Sequence, residues 1–112
     1  MPDYLAPDDC GNMMEVRAGV DATDRELMAL LDRRFGYMRA AARIKTDRGA
    51  VRDEGRKAAV IANACADAKG RGLPAAAIGE IWERLVEASI AFELAEWDRI
   101  SAAAAPPSAR VR

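Results

Sequence analysis

The sequence predicts an all-α protein with three helices per protomer, one of them very long. Three observations carry that prediction. Between Glu15 and Lys45, apolar residues recur at helical spacing at Val16, Val20, Leu27, Leu31 and Met38, with no proline or glycine cluster to interrupt them. The chain is rich in alanine, the strongest helix former, and poor in β-branched runs. No segment alternates polar and apolar residues as a half-buried strand does.

Each element follows in chain order. Residues 1–11 contain Pro2, Pro7 and several acids without periodicity, which predicts a mobile N-terminal arm. Asn12 suits an N-cap, with Glu15 three residues on in a box-like position. The first helix is expected to run to Thr46 or Asp47. At about 1.5 Å per residue it is roughly 50 Å long, more than the diameter of a compact domain of this size. One protomer is too small to cover it, so an oligomer is expected. Asp47-Arg48-Gly49-Ala50-Val51 reads as a charged turn, and the second helix begins near Arg52 or Asp53, with a modest apolar face of Ile61, Ala64, Cys65 and Ala68. Gly70-Arg71-Gly72 ends it, and Leu73-Pro74 opens the third helix. That helix carries the stripe Ile78, Ile81, Trp82, Leu85, Ser89 and Phe92, with Glu93 on its shoulder, and is expected to end near Ser101. Residues 102–112, with Pro106-Pro107, are expected to form a disordered tail, leaving 12–101 as the folded domain.

Composition narrows the function. The chain has 112 residues, enough for one domain, and is 51% hydrophobic but only 5% aromatic, so its core is built from aliphatic side chains. With 17 basic and 18 acidic residues its net charge is −1, which gives no overall field for nucleic acid or an anionic membrane. No apolar run is long enough to span a bilayer and the N-terminus does not read as a secretory signal, so a cytoplasmic location is expected. The sequence has no histidine and two cysteines, Cys10 and Cys65, which excludes histidine acid–base chemistry and disfavours a zinc site. Cys65 reads as a small core residue and Cys10 as a bystander.

Four polar residues fall on or beside apolar faces: Arg34 and Lys45 on the first helix, Ser89 and Glu93 on the third. Long cations can snorkel along their aliphatic stems, and Glu93 can pair with one of them inside a bundle. As a set, however, they describe an anion-binding face. Arg34 and Lys45 are 11 residues apart, about three turns and roughly 16 Å, on one face. Arg17 precedes Arg34 by 17 residues, roughly 25 Å along the helix and rotated by about 100°. A small ligand cannot touch both in one straight helix, so if all three serve one site Arg17 comes from a partner chain.

The pattern Arg17-x16-Arg34-x10-Lys45, then Val51-Arg52-Asp53 with Arg56, then Glu87-Ala88-Ser89 followed by Glu93, resembles the all-α chorismate mutase family, including its isochorismate-pyruvate lyase relatives. The resemblance covers about residues 10–100. It implies an intertwined six-helix homodimer with two equivalent sites for the dicarboxylate chorismate. It assigns carboxylate binding to Arg17 of the partner subunit and to Arg34 and Arg56 of the host. It places Lys45 at the substrate's ether oxygen, Asp53 at the ring hydroxyl and Ser89 near a carboxylate. It implies no cofactor, because the rearrangement of chorismate to prephenate is pericyclic and needs no nucleophile or metal. Restraint of the reactive conformation and stabilisation of charge growing on the ether oxygen suffice, the tasks of the arginines and of Lys45.

Two positions depart from the family pattern. Glu93 stands where many members have glutamine, and a glutamate donates a hydrogen bond only when protonated. Lys57 stands where an acid often lies near the ring hydroxyl. The Val51-Arg52-Asp53 segment and Ser89 look mutase-like, whereas Asp9-Cys10 and Tyr37-x-x-Ala40-Ala41 look more like the lyase. The expected activity is chorismate mutase, with isochorismate-pyruvate lyase as the alternative and a non-catalytic helical dimer as the reading from another class.

Overall fold

The computed structural model describes residues 4–104. Residues 1–3 and 105–112, where part of the arm and most of the disordered tail are expected, lie outside the described residues. The described chain contains three α-helices and no strand: α1 (Met13–Ile44), α2 (Glu54–Gly70) and α3 (Ala75–Ala104), with single 3-10 turns at Pro7–Asp9 and Arg48–Ala50. The chain divides into two compact units, one up to Gly36 and one from Tyr37 onward. The boundary falls within α1, which has 32 residues.

In the first unit the start of α1 is set by the residues the sequence marks. Asn12 Oδ1 accepts the Glu15 N–H at 2.9 Å, and Glu15 Oε1 accepts the Gly11 N–H at 2.8 Å. This is the reciprocal logic of a capping box, with the return bond made one residue earlier than usual. The segment before it is held by Tyr4, whose hydroxyl donates to Glu26 Oε1 at 2.7 Å. The apolar stripe of α1 is largely uncovered within this unit. Val20 and Leu27 are 51% and 52% exposed, Met28 and Leu30 are also exposed, and among the described residues of this unit Ala22 is the buried hydrophobic one. The physical reason is local: periodicity specifies which face is apolar, not what covers it.

The second unit holds the packed core. Val51, Val86 and Ile90 form its buried centre, with Val60, Ile61 and Leu94 packed against them. Val51 therefore belongs to the core and not merely to a charged turn. On α3 the buried positions are Val86, Ser89, Ile90 and Glu93, a helical i, i+3, i+4, i+7 stripe, whereas Ile81 of the expected stripe is exposed. Glu93 is thus within the buried face and not on its shoulder. Where α2 meets α3, Gly79 faces Cys65, and a Cβ at Gly79 would come within 2.9 Å of the Cys65 sulfur. Cys65 is half-buried there as a packing residue.

The connections explain the helix ends. Helix α1 stops at Ile44, earlier than Thr46 or Asp47, because Asp47 is extended (φ −126°) and its side chain accepts the Gly49 N–H to cap the 3-10 turn. Asp53 caps α2 by accepting the Arg56 N–H at 2.9 Å. At the other end Gly72 has φ +72°, Leu73 N–H donates to Ala68 O at 2.8 Å and Gly72 N–H to Lys69 O at 3.2 Å, a Schellman ending that requires glycine-like freedom. Pro74 supplies the carbonyl that accepts Ile78 N–H, and α3 continues three residues past the expected Ser101, to Ala104.

Candidate functional site

Lys45 follows the last residue of α1, and its N–H still donates to Ala41 O at 2.9 Å. Its ammonium donates to Glu93 Oε2 at 2.7 Å. The lysine side chain is 30% exposed and the glutamate side chain 5%. A carboxylate so deeply placed requires a charged or hydrogen-bonding partner, and Lys45 is that partner. Ser89 lies one turn before Glu93 on the same buried face, with its hydroxyl donating to Leu85 O at 2.7 Å. The backbone carbonyl consumes the hydroxyl's proton, so toward any other group in this arrangement Ser89 presents oxygen lone pairs.

Asp53 and Arg56 share the first turn of α2. One carboxylate oxygen of Asp53 is committed to the cap, while the Arg56 side chain projects from an exposed position. Behind them lies a charge network between α2 and α3. Arg52 forks onto Glu87 at 2.8 and 3.0 Å and also reaches Glu54 at 2.9 Å. Lys57 Nζ donates to Glu83 at 2.7 Å and to Glu87 at 2.9 Å. Hydrogen bonds from Arg52 and then Lys57 hold the Glu87 carboxyl down to about 2. Those same acids neutralise Lys57, so its ammonium serves the α2–α3 contact.

The remaining two expected site residues lie in the first unit. Arg17 is exposed near the start of α1 and Arg34 is half-buried near that unit's end. Their separation of 17 residues keeps them roughly 25 Å apart along the helix. The second unit therefore brings Lys45, Glu93 and Ser89 into one cluster and carries Asp53 and Arg56 at the head of α2. Sequence reasoning missed the residues that hold the Lys45 segment: Trp97, whose indole N–H donates to Lys45 O at 3.1 Å, and Asp98, which takes a fork from Arg48. Trp97 follows Glu93 by four residues, the one available signal for it; Arg48 and Asp98 are 50 positions apart and carry none.

Chemically, the second unit offers a cationic donor beside a buried carboxyl group and a hydroxyl, with Arg56 at the head of α2. That inventory suits recognition of an anionic small molecule and stabilisation of an oxygen gaining negative charge. Among the described residues no group of three histidine, cysteine or acidic side chains is placed to hold a metal ion.

The chain has relatives among known proteins. Isochorismate pyruvate lyase of Pseudomonas aeruginosa is 28% identical to the chain over 98 residues, a match covering 88% of this chain and 97% of that protein. Residues 16–94 match the family model described as chorismate mutase type II. That span contains Arg17, Arg34, Lys45, Asp53, Arg56, Ser89 and Glu93, and with it the chain belongs to the chorismate mutase type II family.

Proposed function

We propose that the protein is a chorismate mutase, converting chorismate to prephenate within aromatic amino-acid biosynthesis. The observation that carries this reading is the Lys45–Glu93 contact of 2.7 Å, with the carboxyl group buried on α3 beside Ser89. In the rearrangement the ether C–O bond breaks as a new C–C bond forms, and negative charge grows on the ether oxygen. Lys45 donates to that oxygen, and Glu93 shares the task when protonated. Arg34 and Arg56 bind the two carboxylates together with Arg17, Ser89 orients one of them, and Asp53 accepts from the ring hydroxyl.

Arg17 reaches this site from a second copy of the chain in an intertwined homodimer. Two observations support the dimer: the exposed apolar residues Val20, Leu27, Met28 and Leu30 on α1, and the distance between Arg17 and Arg34 on one helix. No helix of the described residues is long and apolar enough to cross a membrane.

A second reading has a specific observation behind it, the relative that is an isochorismate pyruvate lyase. The same framework would then release pyruvate from isochorismate and leave salicylate. Incubating the purified protein separately with chorismate and isochorismate, and identifying the products, distinguishes the two. Prephenate from chorismate supports the mutase, salicylate plus pyruvate from isochorismate supports the lyase, and turnover of neither refutes both in favour of a non-catalytic helical dimer.

A further inference from the structure

A lysine carries its charge on a flexible four-carbon stem, so the position of its ammonium depends on how firmly the backbone root is held. Lys45 sits at the C-terminal end of α1, where the last carbonyls have no donor within the helix. Its own carbonyl accepts the Trp97 indole N–H at 3.1 Å. Trp97 is four residues after Glu93, about one turn. Helix α3 therefore grips the same residue twice, Glu93 at the ammonium and Trp97 at the backbone. Immediately after Trp97, the Asp98 carboxylate accepts from Arg48 Nε and Nη2 at 2.8 and 3.1 Å. Arg48 opens the 3-10 turn three residues beyond Lys45.

We propose that Trp97 is a positioning residue: its indole N–H fixes the backbone of Lys45 so that the ammonium meets the reacting oxygen, with the Arg48–Asp98 fork as a second tether. The role rests on the mutase or lyase reading of Lys45. Two neighbouring positions of α3 thus hold the chain on either side of Thr46 and Asp47, where it leaves α1. Indole is a donor only, so the bond has one direction and is lost in phenylalanine while most of the aromatic mass remains. Charge stabilisation in a transition state is far more sensitive to such displacement than ground-state binding, which the arginines share.

The test uses Trp97→Phe in the full chain, with two readouts. The first is steady-state kinetics on whichever substrate the wild type converts: kcat should fall about tenfold, with KM within about twofold. The second needs no substrate. Reductive methylation of lysine amines, followed by mass spectrometry, should modify Lys45 several-fold faster in Trp97→Phe, while Lys57, held by Glu83 and Glu87, reacts at the wild-type rate. Asp98→Asn should shift both readouts in the same direction by less. A lowered melting temperature with wild-type kcat and wild-type Lys45 labelling would reduce Trp97 to a fold residue and overturn the proposal. So would equal acceleration at Lys45 and Lys57, or faster Lys45 labelling without loss of kcat. Absence of turnover by the wild type on either substrate removes the functional reading on its own, and the labelling readout still decides whether the tether exists.

Discussion

Lys45 and Glu93 lie 48 positions apart in the sequence and 2.7 Å apart in the fold, joined from the end of α1 to the buried face of α3. The contact gives a buried carboxyl group its charge partner and places a cationic donor beside it.

Glu93, beside the Lys45 ammonium, has a kinetic signature of its own. Next to a developing oxyanion an ionised carboxylate repels, whereas a protonated one donates. Glu93→Gln keeps a donor at this position at every pH and should retain at least the wild-type kcat, whereas Glu93→Ala keeps none and should lose about tenfold or more. Steady-state kinetics in which Glu93→Ala turns over as fast as Glu93→Gln would mean that Glu93 does not donate to the reacting oxygen.

The Arg52–Glu87–Lys57 network predicts acid behaviour away from the site. Its hydrogen bonds lower the folded-state Glu87 carboxyl from an ordinary 4.5 to about 2. A depressed carboxyl contributes stability that is complete above its unfolded value and is lost as pH falls through the folded one. Urea unfolding between pH 5 and 2 should therefore show a steeper loss for the wild type than for Glu87→Gln. Because the groups are solvent-accessible, added salt should narrow the difference. Parallel curves at low salt would contradict the assignment.

Gly79 of α3 packs against Cys65 of α2. A methyl group there would meet the Cys65 sulfur at 2.9 Å, too close for an ordinary contact. Gly79→Ala should cost roughly 1–3 kcal/mol from overpacking, offset by about 1 kcal/mol of helix propensity. Adding Cys65→Ala should recover stability relative to Gly79→Ala alone. Chemical denaturation of the two variants measures this, and a double variant less stable than the single would contradict the packing account.

The proposed crossed site makes a prediction about mixtures. Arg17→Ala and Arg34→Ala homodimers should each be weakly active. Unfolded together and refolded as a mixture, they should regain activity, because one site of each heterodimer receives both wild-type arginines. No recovery, with heterodimers confirmed by native mass spectrometry, would place Arg17 outside the shared site.

Much of this was legible in the residues. Lys45, Ser89 and Glu93 stood out because polar groups at apolar spacing require an explanation, and Asn12, Asp53 and Gly72 carry local signals for the helix ends they form. Other features depend on contacts that local pattern does not encode. Glu93 is buried and not on a shoulder because it shares the packed face of α3 with Val86 and Ile90. Val51 sits among charged residues yet enters the core, since the turn folds back onto α3. Lys57 finds Glu83 and Glu87 only once α2 and α3 are paired.

Lys45, held against Glu93, is proposed to stabilise the oxygen of a bond that breaks, and the most direct measurement of that role is prephenate formation by wild type and Lys45→Met. The wild type should convert chorismate, and the variant should lose about 10²–10³ in kcat, the cost of removing one donor to a developing oxyanion. Circular dichroism of Lys45→Met confirms that a folded protein is compared, since breaking a buried pair also destabilises. A folded Lys45→Met enzyme that forms prephenate within a few-fold of the wild-type rate would contradict the account.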